Sequence, residues 1–346
     1  MALKAKKKAL KGAFINNLAI FITLIASITI NLTLVNLFNF SRIQFIVFPF
    51  DFFIILFLPF FHIVFALFLL RERRIFRKKS FQIGFNMDSG EDNELLPLRY
   101  EIYRKLAHLV VLGIILFYFT LGSWIKDINL YLIKFLPETF SNLYYYFFMN
   151  GSHSMIFNQY LVIFLVAISL FGLLSADLVR ILKPELYPLK PVNKILRKKE
   201  LSMRFGPQIS MAIGCFSIII LYGLYQPIGP IIISTSMIMT VFGDMAANLI
   251  GRAFGKRNIT PLGKKSSRKT YLGVIAGFSA AFISGIILLF ILKAYSFFTI
   301  WGFFMLPLIG ATSLGLLDYL DLEIDDNLTY PFILSIIMFL LSFFFV

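Results

Sequence analysis

The chain has 346 residues, of which 59% are hydrophobic and 17% aromatic, and its mean hydropathy is +0.83. Charged residues make up 15%, against roughly a quarter in typical globular domains. With a single cysteine, the composition excludes a soluble enzyme, a disordered chain and a disulfide-stapled secreted domain. Several apolar runs reach the ~20 residues that a helix needs to cross a bilayer. The sequence therefore predicts a polytopic membrane protein.

The apolar runs predict an all-α transmembrane bundle of about nine spans. The runs are apolar on every side, whereas the strands of a membrane β-barrel alternate between apolar and polar residues. The first run is too long for a signal peptide and lacks a cleavage site, so we expect a retained span. The predicted spans lie at 13–38, 45–70, 105–121, 156–176, 208–224, 227–250, 272–293, 297–317 and 328–346.

The distribution of basic residues explains the net charge of +15. If the N-terminus is cytoplasmic, 29 of the 33 Lys and Arg residues lie in inner segments and 4 in outer segments. Cytoplasmic loops carry this excess in membrane proteins. The sequence thus predicts a cytoplasmic N-terminus and a membrane-lipid environment. It gives no support to a nucleic-acid partner, because no binding motif accompanies the charge.

Ionisable residues cluster at the cytoplasmic ends of the predicted spans, where buried charge indicates function. At the start of the third span, spacings of three and four residues place a charged set on one helical face. This set is Glu101, Arg104, Lys105 and His108. Asp177 and Arg180 follow the fourth span. For both groups the alternatives are a membrane anchor and a structural ion pair.

The end of the sixth span carries two stripes along the predicted helix. One stripe is polar, with Asp244, Asn248 and Arg252 four residues apart. Beside it lies a stripe of small residues, at which another helix or a ligand can approach closely. The small residues are Gly243, Ala247, Gly251 and Gly255. Asp244 lies two turns inside the span, where a carboxylate requires a metal ion or a cationic partner. The alternative to a functional role is a structural Asp–Arg pair.

Two loops on the same side carry opposite charges. The loop 256–270 combines glycine, hydroxyls and cations, which suits phosphate binding, although it lacks a Walker A spacing. The loop 318–327 contains acids but no Lys or Arg. Clustered carboxylates with Asn327 are suitable ligands for Mg²⁺. The alternative is an acidic loop that pairs with basic neighbours.

Three ordered motifs resemble those of the polytopic CTP-dependent lipid kinases, which comprise dolichol kinase, phytol kinase and CTP-dependent diacylglycerol kinase. The resemblance covers roughly residues 95–346 as a seven-helix kinase-like domain and leaves 1–94 as an N-terminal extension with two spans. The motifs are Gly243-Asp244-x-x-Ala247-x-x-x-Gly251-x-x-x-Gly255-Lys256, Lys265-Ser266 with Gly273, and Asp325-Asp326-Asn327-Leu328-Thr329-x-Pro331.

This resemblance implies transfer of the CTP γ-phosphate to a lipid alcohol at the cytoplasmic leaflet. The acceptor would be a dolichol-, phytol- or diacylglycerol-like lipid. The implied catalytic residues are Asp244, with Asp177 or His108 as general base. The implied ligands of Mg²⁺, or of another divalent cation, are Asp244, Asp325, Asp326 and Asn327. The implied nucleotide-binding residues are Arg104, Lys105, Asn248, Arg252, Lys256, Lys264, Lys265 and Ser266.

The sequence departs from the resemblance at one place and leaves alternatives open. After Lys-Ser the family usually shows an acid and a glycine, whereas this chain has Ser267-Arg268-Lys269. The nearest alternative is a phosphatidate cytidylyltransferase-like CDP-lipid synthase, and the second is a lipid or ion transporter. The lipid acceptor and the oligomeric state stay open. So does the membrane, a cell membrane or the endoplasmic reticulum according to the organism.

Overall fold

Long apolar helices make up most of the structure, a computed structural model. It describes residues 1–7, 10–37, 50–78, 98–142, 154–201, 203–223, 225–260 and 269–346. The all-α prediction is confirmed, since these ranges contain no β-strand and only one isolated β-bridge, between Asn258 and Thr270. The predicted phosphate-binding residues Lys264, Lys265 and Ser266 lie outside the described residues.

The helices are numbered here in chain order. A 3₁₀ turn at Ala107–Leu109 and a π turn at Phe117–Leu121 join α4, α5 and α6 into one continuous helix. The bounds are α1 Ala2–Lys7, α2 Lys11–Leu37, α3 Phe50–Lys78, α4 Leu98–Leu106, α5 Val110–Leu116, α6 Gly122–Ile133, α7 Ser154–Leu182, α8 Lys198–Leu201, α9 Pro207–Tyr222, α10 Ile228–Phe254, α11 Tyr271–Ile291, α12 Ile300–Leu320 and α13 Asp326–Ser342.

Seven helical segments in the described part of the chain are long and apolar enough to cross a bilayer. They support a multi-pass membrane protein. The other two predicted spans correspond to α9 and α13, which have 16 and 17 residues. The count of nine spans and the cytoplasmic N-terminus stay predictions.

The helix that contains the third predicted span is longer than the span itself, because it reaches Ile133 rather than ending at residue 121. The prediction placed residues 122–133 in an outer loop. Lys126 and Asp127 end the apolar run there, but neither residue prevents a helix from continuing. The helix is also longer at its start, so the whole set from Glu101 to His108 lies within it.

Helix α10 lies at the centre of the bundle. Its most apolar stretch is 89% buried, against 44% or less in each of the other candidate spans. Buried hydroxyls on this helix bond to its own carbonyls, as Thr235 Oγ1 does to Ile231 O (2.7 Å) and Thr240 Oγ1 to Ser236 O (2.8 Å). Because Asp244 lies on this buried helix, α10 carries its carboxylate into the protein interior.

The small-residue stripe of α10 packs against a second helix, α11. A Cβ atom at Gly243 would lie 3.1 Å from the carbonyl oxygen of Gly277, and one at Gly251 would lie 3.1 Å from the Cα of Gly273. Close approach of two backbones through small residues is typical of helices in membranes. Of the two interpretations of the stripe, the structure favours a neighbouring helix over a ligand.

We expect a single methyl group to disturb this contact. A Cβ at Gly277 would lie 3.0 Å from Ala247 Cβ and 3.1 Å from the carbonyl oxygen of Gly243. Overpacking of this kind costs about 1–3 kcal/mol, so Gly277→Ala should lower the midpoint of thermal unfolding in detergent. In the control Gly113→Ala, the new Cβ meets no described heavy atom within 4 Å. Equal midpoints for the two variants would contradict the packing.

Candidate active site

The charged face of α4 turns into the protein. Glu101, Arg104, Lys105 and His108 are each at most 5% exposed. The opposite face exposes apolar side chains, among them Ile102 and Leu106. The helix therefore separates an ionic interior from a surface that suits lipid.

A buried ion pair connects α4 with α10. Lys105 Nζ donates a hydrogen bond to Asp244 Oδ2, and both side chains are nearly inaccessible. Asn248, one turn further along α10, donates to Asp244 Oδ1 at 2.6 Å. An unpaired charge in this position would cost several kcal/mol. The cationic partner that the sequence requires for Asp244 is thus a lysine.

The carboxylate of Glu101 contacts arginines from three parts of the chain. It accepts from Arg104 Nη2 at 2.5 Å and Arg197 Nη2 at 3.0 Å, and lies 3.7 Å from Arg252 Nη1. A second acid, Glu200, pairs with Arg104 Nη1 at 3.2 Å. The side chains of Arg197 and Arg252 are 35% and 23% exposed. The cluster is therefore closed on its inner side and presents two guanidinium groups at its rim.

A cavity of about 10 Å³, the room of about one water molecule, lies between the 3₁₀ turn at Ala107–Leu109 and helices α9, α10 and α13. It is lined by His108, Met211, Thr240, Val241, Asp244 and Asn327. His108 Nδ1 lies 2.9 Å from Met211 Sδ, whereas its Nε2 has no hydrogen-bond partner among the described residues. A buried polar atom without a protein partner is uncommon, so this nitrogen is available to a ligand. The cavity thus joins a carboxylate, an amide and an unpaired imidazole nitrogen.

Asp177 and Arg180 have a different environment. Arg180 binds Asp177 through two nitrogens, at 2.5 and 3.0 Å, and both side chains are buried. Arg180 also donates to the carbonyl oxygens of Glu200 and Arg204 at 2.7 and 2.9 Å. The backbone N–H of Gly206 donates to Asp177 at 3.0 Å. This geometry favours a structural role in holding residues 200–206, and the base role of Asp177 stays a prediction.

The start of α13 reaches the same cavity. Asp325 caps the helix, accepting from Asn327 N at 3.0 Å and from Asn327 Nδ2 at 2.7 Å. Arg204 Nη2 lies 3.8 Å from the other oxygen of Asp325. Because Asn327 and Asp244 line one cavity, the ends of α10 and α13 converge, although the two residues are far apart in sequence.

Lys269 lies among three acids between α11, α12 and α13. Its Nζ is 2.8 Å from Asp318, 3.1 Å from Asp326 and 3.8 Å from Asp321. Burial would lower the pKa of Lys269, but the attraction of Asp326 and Asp318 outweighs it and raises the pKa. Tyr330 completes the cluster, since its hydroxyl donates to Asp318 at 2.8 Å. The acidic loop therefore pairs with a basic neighbour, the alternative that the sequence left open.

The side chains predicted as Mg²⁺ ligands each have a protein partner in the structure. Asp244 is paired with Lys105, Asp325 with Asn327 and Arg204, and Asp326 with Lys269. Among the described residues, no group of three or more His, Cys, Asp or Glu side chains is arranged to hold a metal ion. A divalent cation at this place would require these partners to move, and the assignment of these side chains as Mg²⁺ ligands stays a prediction.

Sequence analysis identified part of this arrangement. The i, i+3 and i, i+4 spacings found the buried face of α4 and the polar stripe of α10. They did not pair Lys269 with the acids; the sequence placed it in the cationic loop 256–270, where it also departs from the motif. Of the predicted nucleotide-binding residues, Lys256 is exposed beyond the end of α10. The structure does not place it in the ionic cluster.

Comparison with known proteins identifies the family. The model of the cytidylyltransferase family matches residues 94–344, more than two thirds of the chain. The chain belongs to the cytidylyltransferase family. No curated protein and no solved structure gives a significant match. Membership supports an enzyme that uses CTP in lipid metabolism, and helices α1 to α3 lie outside the matched region.

We expect Lys269 to hold the three acids together. Lys269→Ala should lower the unfolding free energy by about 1–3 kcal/mol, because it leaves largely buried carboxylates without their hydrogen-bonding cation. The matched control is Lys190→Ala, which removes an exposed pair with Glu72 at 2.9 Å and should cost about 0–1 kcal/mol. Thermal unfolding in detergent measures both. A loss for Lys269→Ala no larger than that of the control would contradict this role.

Proposed function

We propose that the protein transfers a cytidylyl or a phosphoryl group from CTP to a membrane lipid. The reaction takes place where the charged side chains of α4 and α10 meet. Family membership over residues 94–344 is the observation that carries this proposal. The ion-pair cluster next to Asp244 supports it, because charged side chains from α4, α8 and α10 meet there. A transporter, the second alternative from the sequence, receives no support from the family.

The rim arginines suit the triphosphate of CTP. Guanidinium groups bind phosphate oxygens through paired hydrogen bonds, and Arg197 and Arg252 are the partly exposed members of the cluster. Cations exceed acids by one in the set formed by Arg104, Lys105, Arg197, Arg252, Glu101, Glu200 and Asp244. The surplus positive charge favours a polyanionic ligand over a neutral one.

The lipid substrate reaches the site from the bilayer. The outward face of α4 exposes Ile102, Tyr103 and Leu106, which are 36%, 45% and 48% exposed. Acyl or isoprenoid chains can remain in the membrane beside this face while the headgroup approaches the cavity. We place this end of the bundle on the cytoplasmic side, because 29 of the 33 basic residues lie in the predicted inner segments.

The family favours cytidylyl transfer to a lipid phosphate as the reaction. An oxygen of the lipid phosphate attacks the α-phosphorus of CTP, the bond between the α-phosphorus and the bridging oxygen breaks, and pyrophosphate leaves. A phosphate monoester is already ionised near neutral pH, so the attacking oxygen needs no general base. This agrees with the geometry of Asp177, whose oxygens are occupied by Arg180 and Gly206.

A CTP-dependent lipid kinase is the second candidate, and His108 supports it. In that reaction a lipid hydroxyl attacks the γ-phosphorus, CDP leaves, and the hydroxyl proton passes to an acceptor. The unpartnered Nε2 of His108 in the cavity suits that acceptor when the ring proton is on Nδ1. The Asp325-Asp326-Asn327 segment, which resembles the kinase motif, also reaches this cavity through Asn327.

Labelled CTP distinguishes the two reactions. Purified protein is incubated with lipid phosphates and lipid alcohols and with CTP labelled at the α- or the γ-phosphorus. Cytidylyl transfer moves the α-label into the lipid and releases labelled pyrophosphate from γ-labelled CTP. Kinase activity moves the γ-label into the lipid and releases CDP. If neither the α-label nor the γ-label enters any lipid, the proposal is refuted.

We expect Asp244 to be essential for turnover. Asp244→Asn keeps an acceptor for Lys105 but removes the charge in the cavity, and it should lower kcat by about 10²–10³. The matched control is Asp318→Asn, since both carboxylates belong to residues that are 5% exposed but Asp318 lies in the Lys269 cluster. Turnover of the two variants is compared provided that their midpoints of thermal unfolding are the same. Similar losses in both variants would remove Asp244 from the site.

A further inference from the structure

Helix α2 contacts the candidate active site, although it lies outside the region matched by the family. Asn16 and Asn17 on this helix are 0% and 2% exposed. Asn17 bonds the carbonyl of Met203 at 2.8 Å and the backbone N–H of Phe205 at 3.1 Å. These contacts attach the N-terminal extension to the segment that enters α9.

Asn16 makes the contact closest to the cavity. Its Oδ1 accepts from the backbone N–H of Asp325 at 2.9 Å and from Arg204 Nη2 at 3.1 Å. Both partners can only donate, so the side-chain oxygen must face them. The Nδ2 group has no hydrogen-bond partner among the described residues. The interaction therefore depends on the acceptor oxygen of Asn16.

The partners of Asn16 lead to the cavity in two steps. Asp325 receives the hydrogen bond at the start of α13, and its carboxylate binds the side chain of Asn327 at 2.7 Å. Asn327 in turn lines the cavity with Asp244 and His108. A displaced Asp325 would therefore move a group at the cavity wall.

We propose that Asn16 is a positioning residue, which fixes Asp325 and Arg204 and thereby the Asn327 wall of the cavity. The N-terminal extension then contributes to the arrangement of the active site. The kinetic side of this inference rests on the proposed function, whereas its structural side does not.

A second asparagine on α2 supplies the matched control. Asn31 is 2% exposed and donates to the carbonyl of Ile220 at 2.5 Å, a buried cross-helix contact of the same kind. It lies about 22 Å further along the helix at 1.5 Å per residue. If α2 only stabilises the fold, Asn16→Ala and Asn31→Ala should impair turnover equally.

We expect Asn16→Ala to lower kcat about tenfold more than Asn31→Ala does, at similar unfolding midpoints. Asn16→Asp keeps an acceptor oxygen for both donors and should stay within about threefold of the wild type. This variant separates loss of the acceptor from loss of packing. Equal losses in the two alanine variants, or an Asp variant as impaired as Asn16→Ala, would overturn the inference.

Hydrogen exchange tests the inference without activity. The Asp325 amide donates to Asn16, so exchange in a peptide covering residues 321–328 should be faster in Asn16→Ala and unchanged in Asn31→Ala. Unchanged exchange in Asn16→Ala would overturn the inference. If the wild-type protein transfers nothing from CTP, the proposed function fails, and this comparison alone decides whether α2 positions the segment.

Discussion

The ion pair between Lys105 and Asp244 is the constraint on which the rest of the site depends. A charge buried among apolar helices is costly unless an opposite charge and further hydrogen bonds accompany it. Asp244 satisfies this requirement through Lys105 and Asn248. The pair therefore fixes α4 against α10, and this contact brings the Glu101 cluster and the His108 cavity to the same end of the bundle.

The other charged side chains differ in how many of their hydrogen-bonding positions are occupied by protein groups. Asp177 and Arg180 have their hydrogen-bonding capacity taken up by each other and by the backbone of residues 200–206. Arg197 and Arg252 are partly exposed while they contact Glu101. A saturated pair has little left to offer a substrate, whereas rim arginines can exchange a carboxylate for a phosphate. The number of occupied hydrogen-bonding positions thus distinguishes the structural ion pair from the arginines that we propose to bind CTP.

Sequence periodicity predicted what lies within one helix. The spacing of Glu101, Arg104 and Lys105 gave a shared face, and the glycine stripe of α10 gave a close helix contact, which the structure assigns to α11. Contacts between distant segments left no periodic signal. Asn16 bonds Asp325 across 309 positions, and Lys269 binds acids on α12 and α13. An asparagine in an apolar helix shows only that it needs a partner, and the packing determines which partner it has.

The chemical state of the nucleophile decides what this site has to supply. A lipid phosphate arrives ionised, so cytidylyl transfer needs charge neutralisation and alignment, for which we propose the partly exposed arginines. A lipid alcohol must also lose a proton, and the described cavity holds one imidazole nitrogen without a partner. Only transfer to an alcohol therefore requires His108 as a proton acceptor, whereas both reactions require Asp244. Within a family whose members use CTP, the same ionic end of a bundle can serve either transfer, and the need for a proton acceptor is the physical difference between them.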